Sequence, residues 1–389
     1  MKAAVLYAPN QPLVIEDIEL DEPQANEVLI KTSATGVCHS DLHFMEGKWM
    51  YPMPVVLGHE SAGVVEKVGP GVTNVKAGDR VVVAFVQSCG NCDRCTTGRP
   101  NLCTNGQSLN RMGRVKLNGQ PIMQFAGMSA FAEYQLVHSK ACVKIPDGVP
   151  MEVAALVGCS VMTGVGAVTN TVKLQVGETV AVIGCGGVGL NIIQGARLAG
   201  ASRIIAVDML ESKLAAAKEF GATDVVDASS GDAVAQVQGL TGGGVDYAFE
   251  AIGLMKTAQQ AFEMAKRGGQ AVIVGMLPLT EQLTIPNAGM SFLGEKGIVG
   301  SYYGSTRQTY DMPWLMELYR QKRLKIDELI SRKYSLDQIN EAYDALKGGE
   351  VNRSVINGYR SRTGQGKVSF THLIGYAVVR AISDHLPVM

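Results

Sequence analysis

The chain has 389 residues and a formal net charge of −1 at pH 7. Hydrophobic residues make up 46% of it and charged residues 18%, which is typical of a globular protein with a packed core. So little net charge gives no strong attraction to nucleic acid or to an anionic membrane. Since no signal peptide and no run of 18 apolar residues is present, we expect a cytoplasmic protein without a transmembrane helix.

Residues 1–150 are predicted to be mainly β-structure. Four short runs there are rich in β-branched residues and bounded by turn residues, as is typical of strands; they are MKAAVLY, EVLIKTSATGV, AGVVEKVG and DRVVVAF. From about residue 155 to residue 300, candidate strands alternate with helical stretches such as 188–200 and 211–220. We expect the strands at 179–183, 203–207, 224–226, 246–249, 271–275 and 297–300. The alternation predicts a six-stranded, doubly wound parallel sheet of the Rossmann type.

The last third of the chain has two different parts. Residues 301–357 contain helical patterns again, and we expect them to return to the first domain. Residues 358–389 begin with the polar, basic stretch RSRTGQGK, a predicted linker. Leu373, Ala377 and Ala381 then follow at i, i+4 and i+8, which predicts an amphipathic helix. The expected units are therefore 1–157 completed by 301–357, then 158–300, and an atypical extension at 358–389.

Four of the eight cysteines fall within 15 residues, at Cys89, Cys92, Cys95 and Cys103. In a chain without a secretion signal, such a cluster indicates metal binding rather than disulfides. Two-residue gaps allow a loop to wrap around one tetrahedral Zn²⁺, and four thiolates leave no open position, so we expect a structural site. Redox-active thiols are one alternative. An iron–sulfur cluster is another, although the related ferredoxin run has a shorter last gap.

A glycine-rich turn lies between a predicted buried strand and a predicted helix. It consists of Gly184, Cys185, Gly186, Gly187, Val188 and Gly189. In this context, GxGxxG is the signature of a dinucleotide-binding loop. We expect Gly184 to allow the tight turn, Gly186 to let the backbone approach a pyrophosphate, and Gly189 to let the helix pack on the strand. The start of the helix then faces the phosphate charge.

The end of the next predicted strand carries an acidic residue. Asp208 lies 24 residues after Gly184, near the usual spacing for a carboxylate that accepts from the adenosine ribose hydroxyls. Such a carboxylate repels a 2′-phosphate, and no arginine follows at 209–212, so NAD is favoured over NADP. Lys213 is a candidate contact to the ribose or to a neighbouring phosphate.

Spacing alone does not join Cys38, His59 and Cys159, each of which could be an isolated buried residue. A longer motif favours the interpretation that they are metal ligands. The zinc signature of one family is matched along its whole length by Gly58, His59, Glu60, Gly63, Gly69 and Val72. With the four-cysteine lobe, the glycine loop and Asp208, the chain resembles the zinc-containing medium-chain alcohol dehydrogenases over about residues 1–357. The resemblance implies an α/β protein with a GroES-like, mainly β catalytic domain and a Rossmann coenzyme domain.

The resemblance also implies a catalytic zinc beside the structural one. Cys38, His59 and Cys159 match its ligands, which leave a fourth position for water or substrate. Asp41 resembles the carboxylate that orients the ligating histidine. Glu60 resembles the acid that lies behind the metal.

Further roles follow from the same resemblance. Zinc would lower the pKa of a bound alcohol, and Ser40 and His43 would relay the proton to solvent before hydride passes to NAD. A turn serine and a surface histidine are the plain alternatives for these two residues. His39 and Arg353 match the family's pyrophosphate contacts, and would otherwise be ordinary surface cations.

By the same alignment of motifs, Trp49, Phe85 and Phe125 would face the substrate. Three aromatic rings would suit primary alcohols, aromatic ones included, although core packing explains such residues equally well. A glutathione-dependent formaldehyde dehydrogenase, a polyol dehydrogenase, a zinc-free reductase and a sensor that binds zinc and NAD are the alternatives. Cys159 favours the alcohol dehydrogenases, because polyol dehydrogenases often have glutamate there. Members of the family are dimers or tetramers, so we expect a homodimer or homotetramer.

Overall fold

A computed structural model describes residues 1–109 and 113–357, so the predicted linker and helix at 358–389 lie outside the described residues. The first part of the chain is rich in strands, which are β1 Lys2–Leu6, β2 Val14–Asp17, β3 Glu19–Leu20, β4 Glu27–Val37, β5 Val55–Val56, β6 Ser61–Val68, β7 Arg80–Val83, β8 Val115–Leu117, β9 Gln120–Gln124, β10 Tyr134–His138 and β11 Cys142–Lys144. The second part contains β12 Thr179–Ile183, β13 Arg203–Asp208, β14 Asp224–Asp227, β15 Val245–Glu250, β16 Ala265–Ile273 and β17 Gly297–Gly300. Two strands follow, β18 Ile330–Tyr334 and β19 Arg353–Ile356.

The α-helices are α1 His39–Met45, α2 Asp93–Thr96, α3 Met151–Leu156, α4 Met162–Gly166, α5 Gly187–Ala199, α6 Glu211–Phe220, α7 Ala233–Thr241, α8 Met255–Met264, α9 Ala288–Leu293, α10 Gln308–Arg320 and α11 Ile339–Lys347. π-Helical turns at Val157–Val161 and Ala167–Val172 extend α3 and α4 into one helical segment of 22 residues, Met151–Val172. Of the described helices, this one is long and apolar enough to cross a membrane. However, 89% of its most apolar window is buried inside the protein, as in a core helix.

The mainly β part is organised around β4. One sheet has the order β2-β1-β5-β9-β8-β3, and the other has the order β11-β7-β6-β4-β19-β18 with β10 also paired to β4. Alternate residues of β4 are buried, as expected of a strand with one face on the core. Gly63 of β6 is required by the close approach of these strands, because a Cβ atom there would lie 2.3 Å from the carbonyl oxygen of Lys31.

The second part confirms the predicted parallel sheet. Its order is β14-β13-β12-β15-β16-β17, and every neighbouring pair is parallel. The fifth strand is longer than predicted, since it begins at Ala265 rather than at residue 271. β12 is almost wholly buried, as expected of a parallel strand covered on both faces. Its neighbours β13 and β15 lie on opposite sides, and this reversal of strand order opens a crevice at the carboxyl ends of the strands.

The last described segment returns to the sheet that contains β4. β19 pairs antiparallel with β4, with Ser354 opposite Val37 and Val355 opposite Gly36. The helical segment 151–172 packs on the coenzyme side of the fold, because a Cβ atom on Gly164 would lie 2.5 Å from the carbonyl oxygen of Val188. The domain limits stay a prediction, and the limit placed at 157/158 falls inside this continuous helical segment.

Candidate active site

Four side chains from three distant parts of the chain meet in the interior. Ligand atoms of Cys38, His59, Glu60 and Cys159 all lie within 4.8 Å of one another, and all four residues are buried. Cys38 directly follows β4, His59 and Glu60 precede β6, and Cys159 belongs to the helical segment. Sγ of Cys159 lies 3.4 Å from Nε2 of His59, although 100 residues separate them in sequence. The fold therefore brings the predicted ligands of the catalytic metal together.

Asp41 holds the imidazole of His59 in place. Oδ1 of Asp41 accepts from the backbone N–H of Gly58 at 3.0 Å and lies 3.1 Å from Nδ1 of His59. With the proton on Nδ1, the lone pair of Nε2 is directed at the two sulfurs. Gly58 is needed because its φ is +93° and a Cβ atom would lie 2.7 Å from the backbone nitrogen of Phe131.

The two thiols of the cluster differ in acidity. A hydrogen bond from the Cys159 thiol holds the pKa of Cys38 well below its usual value, with help from the nearby Arg353 and His59. The same contact, together with burial, raises the pKa of Cys159. Two buried sulfurs and an imidazole nitrogen within contact distance are a donor set that Zn²⁺ favours. The residues present thus fit a zinc ion.

Glu60 and Arg353 form a buried pair behind this cluster. Nη2 of Arg353 lies 3.3 Å from Oε1 of Glu60, and Nη1 donates to the carbonyl oxygen of Val37 at 3.0 Å. Burial raises the pKa of Glu60 to about 8, an effect that Arg353 opposes. Gly36 makes room for the carboxylate, since a Cβ atom there would lie 2.1 Å from Oε2. Gly187 makes room for the guanidinium of Arg353, because a Cβ atom there would collide with it. Arg353 therefore contacts both the metal cluster and the glycine loop.

One cleft of about 1550 Å³ joins the metal cluster to the glycine loop. Sixteen of the residues predicted for the site line it: Cys38, His39, Ser40, His43, Trp49, His59, Phe85, Phe125, Cys159, Gly184, Gly186, Gly187, Val188, Asp208, Lys213 and Arg353. Asp41, Glu60 and Gly189 lie behind its walls. The cleft is therefore large enough, and suitably lined, for a dinucleotide and a substrate to meet at the cluster.

The glycine loop has the geometry of a phosphate cradle. Gly184 has a φ of +92°, which favours glycine, and Gly186 faces open space because no atom lies within 4 Å of where its Cβ would be. α5 begins at Gly187, so its first N–H groups point towards the cleft. Gly189 packs against the backbone of Gly184.

Asp208 and Lys213 stand beside this loop. Oδ2 of Asp208 accepts from the N–H of Cys185 at 2.8 Å, and Oδ1 accepts from the N–H of Met209 at 2.8 Å. Nζ of Lys213 donates to the carbonyl oxygen of Val351 at 2.6 Å, and burial lowers the pKa of Lys213. The carboxylate thus ties the loop to the end of β13, while the lysine ties α6 to the last segment. The contact between Lys213 and coenzyme stays a prediction.

The predicted structural cluster also forms. Sulfur atoms of Cys89, Cys92, Cys95 and Cys103 lie within 4.8 Å of one another. N–H groups point at two of the sulfurs: that of Cys89 lies 3.2 Å from Sγ of Cys103, and that of Cys92 lies 3.3 Å from Sγ of Cys89. Backbone donors lower the pKa of Cys92 to about 5, whereas burial raises that of Cys95 to about 12. Four sulfurs at this separation fit a tetrahedral zinc.

Comparison with known proteins decides the family. The model described as "Alcohol dehydrogenase GroES-like domain" matches residues 24–147, and that described as "Zinc-binding dehydrogenase" matches residues 187–321. The chain belongs to the zinc-containing alcohol dehydrogenases. The predicted family is thereby confirmed, as is its combination of a GroES-like domain with a Rossmann-type domain.

Named relatives of this family match over most of the chain. A class-3 alcohol dehydrogenase of Pisum sativum is 39% identical and aligns with 91% of this chain and 97% of its own. An NDMA-dependent alcohol dehydrogenase of Amycolatopsis methanolica is 41% identical, with 91% and 98% aligned. The solved structure of a benzyl alcohol dehydrogenase from Acinetobacter calcoaceticus is 34% identical and superposes with a TM-score of 0.85, covering 92% of this chain and 98% of that one.

In this alcohol dehydrogenase chain, the residues predicted for proton transfer surround the cluster. Oγ of Ser40 lies 3.6 Å from Sγ of Cys38. Nδ1 of His43 is buried and has no hydrogen-bond partner in the described parts of the chain. Burial lowers the pKa of His43 and lowers that of the neighbouring His39 to about 4, so both imidazoles are neutral at pH 7. A neutral imidazole can accept a proton.

The aromatic slot is larger than the sequence predicts. The rings of Phe85 and Phe125 lie 5.2 and 5.9 Å from that of His59, as expected of residues beside the metal. Trp49 has no ring contact with His59, and its Nε1 donates to the carbonyl oxygen of Leu277 at 3.1 Å. Sequence reasoning missed Phe44, Tyr51, Tyr302 and Tyr303, which line the same cleft. The position of the two tyrosines just after β17, at the carboxyl end of a parallel strand, is the signal that could have found them.

Proposed function

We propose that this chain is a zinc-dependent alcohol dehydrogenase that converts primary alcohols, aromatic ones included, to aldehydes, or catalyses the reverse, with NAD. The observation that carries the proposal is the single cleft in which Cys38, His59 and Cys159 face the glycine loop. Zinc and the nicotinamide coenzyme, when bound, supply the Lewis acid and the hydride acceptor.

The protein side chains have three tasks in this proposal. Cys38, His59 and Cys159 hold the metal, and Asp41 keeps the imidazole in the orientation that ligation requires. The apolar rings around the cluster exclude water from the reacting carbon. The Ser40 hydroxyl accepts the proton of the substrate hydroxyl as it passes its own proton on, and the neutral imidazole of His43 is the last protein group to accept a proton on the way to solvent.

The substrate preference is supported by the rings beside His59. Edge contacts of Phe85 and Phe125 with the imidazole leave an apolar slot suited to a benzylic or long primary alcohol. One solved relative is named a benzyl alcohol dehydrogenase. The test is the rate of NADH formation with primary, secondary and benzylic alcohols, before and after zinc removal. Binding of zinc and NAD without turnover of any alcohol would instead indicate a sensor.

The coenzyme preference is supported by Asp208. Its carboxylate lies at the end of β13 and lines the cleft, where it would accept from ribose hydroxyls and repel a 2′-phosphate. We expect NAD to be used with the higher kcat/KM. We also expect Asp208→Asn, which keeps an acceptor for the N–H of Met209, to reduce the NAD-to-NADP ratio of kcat/KM at least tenfold. An unchanged ratio would show that Asp208 does not select the coenzyme.

We also propose a homo-oligomer, with a second copy of the chain against the β17 edge of the parallel sheet. β17 has one sheet neighbour, β16, and its other edge is unpaired within the described residues. Met290, Phe292 and Leu293, on the helix that precedes it, are 72%, 54% and 74% exposed. An unpaired strand edge beside exposed apolar side chains is typical of a surface that another chain covers. Light scattering should give a multiple of 41.3 kDa, and Leu293→Glu should favour the monomer.

A cytoplasmic location is proposed because every cysteine of the described residues is free.

A further inference from the structure

The loop that follows β17, residues 301–305, has a strained backbone. Tyr303, Gly304 and Ser305 are all left-handed, with φ values of +55°, +64° and +49°. Residues other than glycine adopt this conformation rarely, and they keep it only where their surroundings hold them. Tyr303 is 3% exposed, so it is held inside the protein rather than at a free surface. Strain of this kind is common at functional sites, and it therefore points to a role for Tyr303.

This loop lies directly on one face of the helical segment 151–172. Four residues of the segment, spaced four apart and therefore on the same face, make the contact: Gly158, Met162, Gly166 and Asn170. A Cβ atom on Gly304 would lie 2.4 Å from the carbonyl oxygen of Met162, and one on Gly166 would lie 2.4 Å from that of Gly304. Nδ2 of Asn170 donates to the carbonyl oxygen of Gly304 at 3.3 Å. Glycines on both sides thus allow backbone to pack on backbone.

The hydroxyl group of Tyr303 makes the contact at the end nearest the metal cluster. It donates to the carbonyl oxygen of Gly158 at 2.6 Å, and both groups are buried. Gly158 precedes Cys159 inside the π-helical turn Val157–Val161, where the backbone departs from the regular α-helical hydrogen-bond pattern. The hydrogen bond therefore acts on the part of the helix that carries a predicted metal ligand.

The ring of Tyr303 also reaches the cluster, through Phe85. The centroids of these two rings are 4.1 Å apart, and the ring of Phe85 lies 5.2 Å from that of His59. Nε2 of His59 in turn lies 3.4 Å from Sγ of Cys159. One side chain thus contacts the neighbours of both the imidazole and the sulfur.

We propose that Tyr303 is a positioning residue for the catalytic metal: its hydroxyl holds the π-helical turn in the form that directs Sγ of Cys159 at the ion. The hydroxyl acts through the backbone of Gly158 and binds neither metal nor substrate. Without it, the buried carbonyl group of Gly158 loses its donor, and the turn can relax towards the regular helical pattern. The sulfur of Cys159 would then move relative to Cys38 and His59. The proposal rests on the proposed function, since it deepens the assignment of the same site.

The test is Tyr303→Phe, which removes the hydroxyl and keeps the ring. Release of zinc to a chelator should occur in two phases, of which the one absent from Cys103→Ser belongs to the four-cysteine cluster. In Tyr303→Phe the other phase should be about tenfold faster than in the wild type, with the four-cysteine phase unchanged. After replacement of zinc by Co²⁺, the visible absorption bands of the catalytic site should shift, because they depend on the arrangement of the ligands. Loss of fold stability alone would leave these bands in place.

Thr171→Val is the matched control. Oγ1 of Thr171 lies 2.9 Å from Oγ of Ser301 and 2.8 Å from Oγ of Ser305, so this variant weakens the same loop–helix contact at a distance from Gly158. It should lower the melting temperature but leave both zinc release and the cobalt bands as in the wild type.

Unchanged zinc release and cobalt bands in Tyr303→Phe, or equal changes in Thr171→Val, would overturn the inference. These readouts need no turnover, so absence of NADH formation with every alcohol would overturn the proposed function alone. A wild-type protein that binds zinc only in the four-cysteine cluster would overturn both.

Discussion

The carbonyl oxygen of Gly184 occupies the space that a side chain at Gly189 would need, because a Cβ atom there would lie 1.8 Å from it. The first and last glycines of the coenzyme loop are thus in direct backbone contact. This contact fixes how closely the start of α5 packs on the end of β12, and with it the position of the N–H groups that face the cleft.

Gly189→Ala should therefore weaken both folding and coenzyme binding. We expect the free energy of unfolding to fall by about 1–3 kcal/mol, since the added methyl group forces the helix away from the strand. The Kd for NADH, measured by fluorescence titration, should rise at least tenfold. Gly239→Ala is the control: Gly239 lies inside α7 with open space around its Cβ position, so this change should stabilise the protein by about 0.5–1 kcal/mol. Equal effects of the two substitutions would contradict the steric argument.

Asp41 should control zinc at the catalytic cluster. Asp41→Asn keeps the shape of the side chain but weakens its hold on Nδ1 of His59, so we expect zinc affinity at this site to fall by roughly 10–100-fold. Metal analysis after dialysis against graded chelator measures the loss, and kcat should fall in parallel with zinc content. Asp17→Asn, in an exposed pair with Lys2, should change neither. A variant that retains zinc as firmly as the wild type would refute this role.

Cys103 should matter for stability rather than for chemistry. Cys103→Ser removes one of four sulfurs from the structural cluster, so the protein should bind one zinc ion per chain instead of two. The melting temperature should fall by roughly 5–10 °C, because that metal no longer ties its lobe together. Cys142→Ala, at a buried cysteine outside both clusters, should retain two zinc ions. Two ions in the Cys103→Ser variant would show that the lobe is not a metal site.

The features that the sequence predicts well are those whose parts lie close together along the chain. The four cysteines of the lobe and the glycine loop each occupy fewer than twenty residues, so spacing alone indicates their chemistry. The six strands of the parallel sheet are predicted for the same reason, because each strand and its helix form a local pattern. The domain limit at 157/158 falls inside a helix because 151–172 is apolar throughout and gives no internal stop signal.

The catalytic cluster is different, since it depends on tertiary contacts. Cys159 reaches His59 from 100 residues away, through packing of the helical segment against β6 and α5. No periodicity predicts that convergence, and only the resemblance to a known family indicated it. Phe44 and Tyr51 were missed for a related reason: neither belongs to a motif, and their importance depends on the cavity that they share.

The stability of the first domain in acid should depend on Asp79. Nζ of Lys144 lies 2.9 Å from its Oδ2, and the N–H of Lys76 donates to the same oxygen at 3.0 Å. The hydrogen bond from Lys144, followed by that from Lys76, lowers the pKa of Asp79 to about 2. A carboxyl group with a depressed pKa in the folded state stabilises the protein above its unfolded pKa of about 3.9. That contribution is lost as the pH falls from about 4 to about 2.

Asp79→Asn should remove this contribution. At pH 7 the variant should be less stable than the wild type by no more than about 1 kcal/mol, because the lysine partners are largely exposed. The difference should shrink to nearly zero at pH 2, where the wild-type carboxyl group is itself becoming protonated. Urea unfolding at pH 7, 4 and 2 measures it. Asp147→Asn, at an exposed acid without an ion pair in the described residues, should match the wild type throughout. A stability difference between Asp79→Asn and the wild type that is independent of pH would mean that the side chain acts through shape rather than charge.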